Sequence, residues 1–124
     1  MITPRKTRQV RVGNVLIGGG APVCLQSMTS TCTHDIDATV QQIQRLVAAG
    51  CDAVRLAVPD RADTEALPHI LGQVTVPIIA DVHFHFQRAM EAIEAGVHKI
   101  RLNPGNIKDR KQVDRVIAAC RERK

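Results

Sequence analysis

A chain of 124 residues, 44% hydrophobic and 23% charged, has the size and composition of one folded domain with a modest core, which excludes a disordered segment. No apolar run approaches the roughly 20 residues that cross a bilayer, and the basic start Met1–Arg11 lacks the apolar centre of a secretory signal, so a cytoplasmic protein without a membrane partner is expected. The net charge of +5 favours an anionic partner, but with no Trp or Tyr and only Phe84 and Phe86 there is no stacking platform, and nucleic acid is not expected.

Residues 1–22 form an N-terminal segment in which Val10-Arg11-Val12 and Val15-Leu16-Ile17 flank Gly13-Asn14, the pattern of a two-residue β-hairpin with turn residues suited to positive φ. Residues 23–124 then alternate between strands and helices. Val23 to Met28 reads as a strand and Thr29 to His34 as a loop. A helix follows, capped by Asp35 or Asp37, with Val40, Ile43, Leu46 and Val47 on one face and Gly50 at its end. Ala53 to Val58 is a second strand. The segment Asp63 to Leu71 is a poorer helix, weakened by Pro68, and Pro77 to His83 is a third strand. A short helix from Arg88 to Ala95 stops at Gly96. Lys99-Ile100-Arg101-Leu102-Asn103 is the fourth strand, closed by Pro104-Gly105-Asn106. Val113, Val116, Ile117 and Cys120 then mark a final amphipathic helix, and the basic residues around them read as a solvated face.

Four strands that are nearly continuous apolar runs, each followed by a helix, predict parallel βα units buried on both faces. That is the first half of a TIM-type (β/α)8 barrel, with an open doubly wound sheet as the second choice. The stretches Ala49-Gly50-Cys51-Asp52-Ala53-Val54-Arg55-Leu56 and Ala95-Gly96-Val97-His98-Lys99-Ile100-Arg101-Leu102 match in outline, an internal repeat two units apart. Strand parity separates Val54, Leu56, Ile100 and Leu102 from Arg55 and Arg101. The aliphatics belong under helices, so the arginines point to the barrel interior.

Arg55 and Arg101 are candidates to clamp a phosphorylated ligand, with Asn103 and the backbone amides of the Pro-Gly-Asn turn beside them. The alternative is a structural ion network with Asp81. Asp81 and His83 share one face of the third strand and are the candidate catalytic residues. Asp81 either orients an arginine or exchanges a proton with a bound hydroxyl, and His83 is a neutral donor to substrate. His83 and His85 have no third ligand at a familiar spacing, so no metal site is expected, and His34, His69 and His98 read as surface or loop residues. Cys24, Cys32, Cys51 and Cys120 form no C-x-x-C pair and are expected as small buried residues rather than disulfides.

The chain resembles the N-terminal barrel of the 4-hydroxy-3-methylbut-2-enyl diphosphate synthases, over about Thr7 to Arg121. The likeness rests on Gln26-Ser27-Met28-Thr29, Asp37-Ala38-Thr39-Val40-Gln41-Gln42-Ile43, Val54-Arg55 with Val58-Pro59, Ala80-Asp81-Val82-His83-Phe84, and Arg101-Leu102-Asn103-Pro104-Gly105-Asn106-Ile107. The resemblance implies an iron–sulfur oxidoreductase of non-mevalonate isoprenoid biosynthesis that reductively opens 2-C-methyl-D-erythritol 2,4-cyclodiphosphate to a linear allylic diphosphate. A [4Fe-4S] cluster on a further domain and electrons from flavodoxin or ferredoxin would serve the parent enzyme. Arg55, Asp81, His83, Arg101, Asn103 and, more weakly, Ser27 would be its substrate-site residues. Two departures from the family pattern are Cys32, where a polar or acidic residue is usual, and an arginine displaced to Arg88. With the second half-barrel and the cluster ligands missing from these residues, the expectation is a piece of that enzyme, inactive alone and self-associating through its open strand edges. The alternatives are another phosphate-binding barrel, of the pterin-binding synthase type, and a non-catalytic assembly module.

Overall fold

In the computed structural model, which describes residues 2–123, the chain begins with a hairpin of β1 (Val10–Val12) and β2 (Val15–Ile17), paired antiparallel. Gly13 alone in its turn takes a positive φ, 59°, as in a type II′ hairpin, so Asn14 needs no left-handed backbone. A Cβ on Gly13 would lie 3.0 Å from side-chain atoms of both Pro77 and His98, which shows how closely the turn approaches the start of the sheet.

The remaining elements are β3 (Gln26–Met28), α1 (Ile36–Ala48), β4 (Ala53–Ala57), α2 (Arg61–Leu71), β5 (Ile78–Val82), α3 (Phe86–Ala95), β6 (Lys99–Leu102) and α4 (Arg110–Glu122). The four strands β3-β4-β5-β6 are parallel in that order. This is the half-barrel arrangement of βα units that the apolar runs predict. Val54, Leu56, Ile78, Ala80 and Val82 are fully buried on the helix side and pack with Val40, Ile43, Leu67, Ile70 and Ala92.

Asp35 is the cap of α1, its carboxylate accepting from the Ala38 amide, and the capping box of α2 is built by Asp60 and Asp63. The repeat is structural as well as sequential. Gly50 and Gly96 both take left-handed backbones, φ 108° and 96°. Their amides donate to Val47 O and Ile93 O, and the next residues, Cys51 and Val97, donate to Leu46 O and Ala92 O.

Several expectations are corrected. The first strand is only Gln26–Met28: Val23 and Leu25 are 87% and 57% exposed, and Leu25 meets the start of β4 only at its edge, its carbonyl accepting from the Asp52 and Ala53 amides. The second helix runs unbroken from Arg61, since Pro68 sits on its exposed face in the last turns. The third helix starts at Phe86, with His85 as its cap. None of the four cysteines is buried: Cys32 and Cys120 are exposed, Cys24 and Cys51 half-buried. Val47 and Ile117, predicted on apolar faces, are 40% and 44% exposed.

Candidate functional site

The site grows from strand register. Met28, Arg55 and Ile79 stand side by side across β3, β4 and β5, and Ala57, Asp81 and Arg101 across β4, β5 and β6. Cross-strand partners in a parallel sheet share a face, so Met28, Arg55, Asp81 and Arg101 all lie on the face away from the helices. Asp81 is the centre. Its side chain is 2% exposed; Oδ1 accepts from Arg101 Nη1 at 3.0 Å, and Oδ2 lies 3.3 Å from Arg55 Nε and 3.7 Å from His83 Nε2.

The three cationic or neutral donors keep a solvent side, at 31% exposure for Arg55, 41% for Arg101 and 34% for His83. Arg55 Nη2 also donates to the Met28 sulfur at 3.6 Å, while its Nε is buried without a well-directed acceptor. Two guanidinium groups converge on one carboxylate, which leaves an excess positive charge facing solvent. Such a centre can take an anion with several oxygens, because Arg forks match phosphate geometry. The ion network and the anion clamp are thus one arrangement, with Asp81 as the anchor of both arginines.

The structure does not gather every candidate. Ser27 pairs in register with Val54 and so shares the helix-side face, away from Arg55. Asn103 lies just beyond β6, and its Oδ1 accepts from the Gly105 amide at 2.9 Å. The Asn106 and Ile107 amides both donate to Asn103 O at 3.0 Å. The Pro-Gly-Asn turn therefore offers no free amides for an anion, contrary to expectation: Asn103 consumes them in building the turn. Arg88 pairs with Glu91 at 2.6 Å, and the same carboxylate holds Thr64 of α2, so this arginine ties α2 to α3.

A second polar cluster was not foreseen. Asp63 is 2% exposed; its Oδ1 accepts from the amide of His34 and meets His34 Nδ1, both at 2.9 Å, while Oδ2 accepts from the Asp60 amide. Thr33 Oγ1 donates to Ala57 O nearby, which fixes the loop between β3 and α1 to the end of β4. No sequence signal links His34 to Asp63, which lie far apart in the chain. Among the described residues, no group of three or more His, Cys, Asp or Glu is placed to hold a metal ion.

Fold and site together define a parallel βα barrel-type protein with an arginine-rich centre on the inner face of its sheet. The chain belongs to the GcpE TIM-barrel domain family, which it matches over residues 7–124. It is 53% identical over 123 residues to the 4-hydroxy-3-methylbut-2-en-1-yl diphosphate synthase (flavodoxin) of Aquifex aeolicus, covering 99% of this chain and 34% of that protein. The proteins of the same name from Geobacter sulfurreducens and Geobacillus thermodenitrificans are 54% and 53% identical over 118 residues, 95% of this chain and 33% and 32% of theirs. The chain spans about a third of the length of these curated relatives.

Proposed function

We propose that the chain supplies part of the substrate site of a 4-hydroxy-3-methylbut-2-en-1-yl diphosphate synthase, the wall that binds the diphosphate of 2-C-methyl-D-erythritol 2,4-cyclodiphosphate. The observation that carries this is the convergence of Arg55 and Arg101 on the buried Asp81, which holds two part-exposed guanidinium groups ready for phosphate oxygens. In this reading Arg55 and Arg101 bind the diphosphate, Asp81 fixes their orientation, and His83 donates to a substrate oxygen or takes its proton. Asn103 shapes the turn beside them. Ser27 is the weakest member, since it stands on the other face.

The reaction of the relatives would draw electrons from flavodoxin, the donor carried in their name, or from ferredoxin, and a [4Fe-4S] cluster would supply the redox chemistry. The described residues do not fit such a cluster: Cys24, Cys32, Cys51 and Cys120 form no converging set. On this reading the chain acts in the cytoplasm; no helix among the described residues is long and apolar enough to cross a membrane.

A thermal-shift comparison tests the reading. The cyclic diphosphate should stabilise the chain more than a pterin diphosphate does, and Arg55→Ala and Arg101→Ala should each weaken the effect about tenfold in concentration, the loss of one charge-assisted contact. Preferential stabilisation by the pterin ligand would overturn it in favour of a pterin-binding barrel.

A further inference from the structure

We propose that Phe84 reads the carbon skeleton of the ligand: it forms an apolar rim beside the arginine centre and makes the site prefer a diphosphate carrying a short branched hydrocarbon over one that carries a single methyl group. The inference rests on the reading of Arg55 and Arg101 as diphosphate ligands, and adds the residue that recognises the other part of the molecule.

The chain holds two phenylalanines and neither Trp nor Tyr, and the two are placed in opposite ways. Phe86, the first residue of α3, is buried, with the Arg115 guanidinium carbon 5.1 Å from its ring centre. Phe84 is 67% exposed. A single exposed apolar side chain is ordinary on a protein surface, so its location decides what it means. β5 ends at Val82 and α3 begins at Phe86, so His83, Phe84 and His85 make the whole connection at the C-terminal end of the strand. β5 has a strand on either side, and Phe84 therefore does not owe its exposure to an edge of the sheet.

The ring centres of Phe84 and His83 are 6.2 Å apart with their planes inclined at 38°, a tilted aromatic pair. His83 in turn reaches the carboxylate that holds both arginines, its Nε2 lying 3.7 Å from Asp81 Oδ2. Contacts thus run from the two guanidinium groups through Asp81 and His83 to an exposed apolar ring. The connection is short, and the Arg88 amide closes the first turn of α3 on His85 O at 3.0 Å, which leaves the ring little room to move away.

Two unlike surfaces therefore adjoin. The arginine forks take phosphate oxygens and do not distinguish one diphosphate monoester from another. The ring offers phosphate nothing, but a hydrocarbon laid against it removes apolar surface from water on both partners. For a branched five-carbon chain covering one face of the ring, that is about fivefold to tenfold in affinity. A methyl ester is too short to reach from the arginines to the ring.

Isothermal titration of the 124-residue chain with methyl diphosphate and 3-methylbutyl diphosphate is the test, since the two carry the same charged group and differ in hydrocarbon alone. The parent chain should bind the 3-methylbutyl ester about fivefold to tenfold more tightly. Phe84→Ala should bring that ratio close to one, and Phe84→Leu should keep most of it. Arg101→Ala should weaken both ligands and preserve the ratio. In the unaltered chain, nuclear Overhauser contacts should link the ligand's branched methyl protons to the ring protons that vanish in Phe84→Ala, a readout that a merely structural role of Phe84 would not produce. A parent chain that binds neither ester overturns the diphosphate reading and this one with it. Equal affinity for the two esters, a ratio that survives Phe84→Ala, or methyl contacts to Phe86 instead overturns the role of Phe84 and leaves the diphosphate reading in place.

Discussion

Replacing Asp81 with Asn keeps the shape of the side chain and removes the one negative charge between Arg55 and Arg101. Splitting a fully buried ion pair costs about 3–5 kcal/mol, much of it the desolvated charge left behind. Here the charges left behind are 31% and 41% exposed. Water reaches them, and the penalty should fall to about 1–2 kcal/mol, between the buried and the surface limits. For a domain of this size that is a drop in melting temperature of roughly 3–10 °C. The substitution also releases both guanidinium groups from the carboxylate that orients them. Inorganic diphosphate should therefore raise the melting temperature of Asp81→Asn less than that of the parent chain. Circular dichroism melts with and without diphosphate read both effects. An Asp81→Asn chain that melts with the parent refutes the anchoring role, and a larger diphosphate shift in the variant refutes preorganisation of the arginines by Asp81.

Gly13→Ala should destabilise the chain by about 1–2 kcal/mol in a urea titration from its left-handed backbone alone, and by more once the new methyl meets Pro77 and His98 at 3.0 Å. Gly96→Ala, with φ 96° and open space around its Cβ position, should cost only the backbone strain of about 1 kcal/mol; equal losses at the two positions would contradict the docking of the hairpin turn on the sheet. Cys120 is exposed, yet partial burial of its thiol on α4 pushes it above its ordinary range. Since the thiolate is the nucleophile, a maleimide should modify Cys120 slowly at neutral pH and faster as pH rises, as followed by peptide mass; a rate that does not rise with pH would contradict the raised thiol.

Parity made the centre of the site legible. Alternation along Ala53–Ala57 and Lys99–Leu102 separates the two arginines from the aliphatics with no knowledge of the partner strands, because a helix-covered face admits only apolar side chains. Parity did not bear on Ser27, a candidate by family resemblance alone. Its face follows from pairing with Val54, and the length of a strand at the edge of the sheet is set by neighbours that sequence does not name. The turn after β6 was misread for a different reason. Gly105 and Asn106 advertise amides, but Asn103 is both a polar side chain and an acceptor two residues from Gly105, and local capping wins over an open anion nest. His34 and Asp63 lay beyond reach altogether, since only the adjacency of β3 and β4 brings their loops together. Pro68 shows propensity overruled by packing: Leu67 and Ile70 are fully buried on either side of it, and that burial outweighs one missing helix hydrogen bond.

The placement of Asp81 beneath the arginines, rather than beside them, decides how such a centre can work. A carboxylate at 2% exposure cannot turn toward solvent, so the guanidinium groups come to it, and their remaining N–H groups stay on the open side. The Met28 sulfur holds one edge of Arg55 without neutralising it. An arriving diphosphate then meets donors whose orientation is already set by three neighbouring strands, and it need not displace Asp81 to bind. The entropy of ordering two long side chains is spent during folding, not during binding. An Arg101→Lys chain separates this from simple charge attraction. Lysine keeps the charge but loses the fork that reaches Asp81 and phosphate together. If preorganisation is the source of affinity, diphosphate binding in Arg101→Lys should fall nearly as far as in Arg101→Ala; affinity close to that of the parent chain would mean that charge alone suffices.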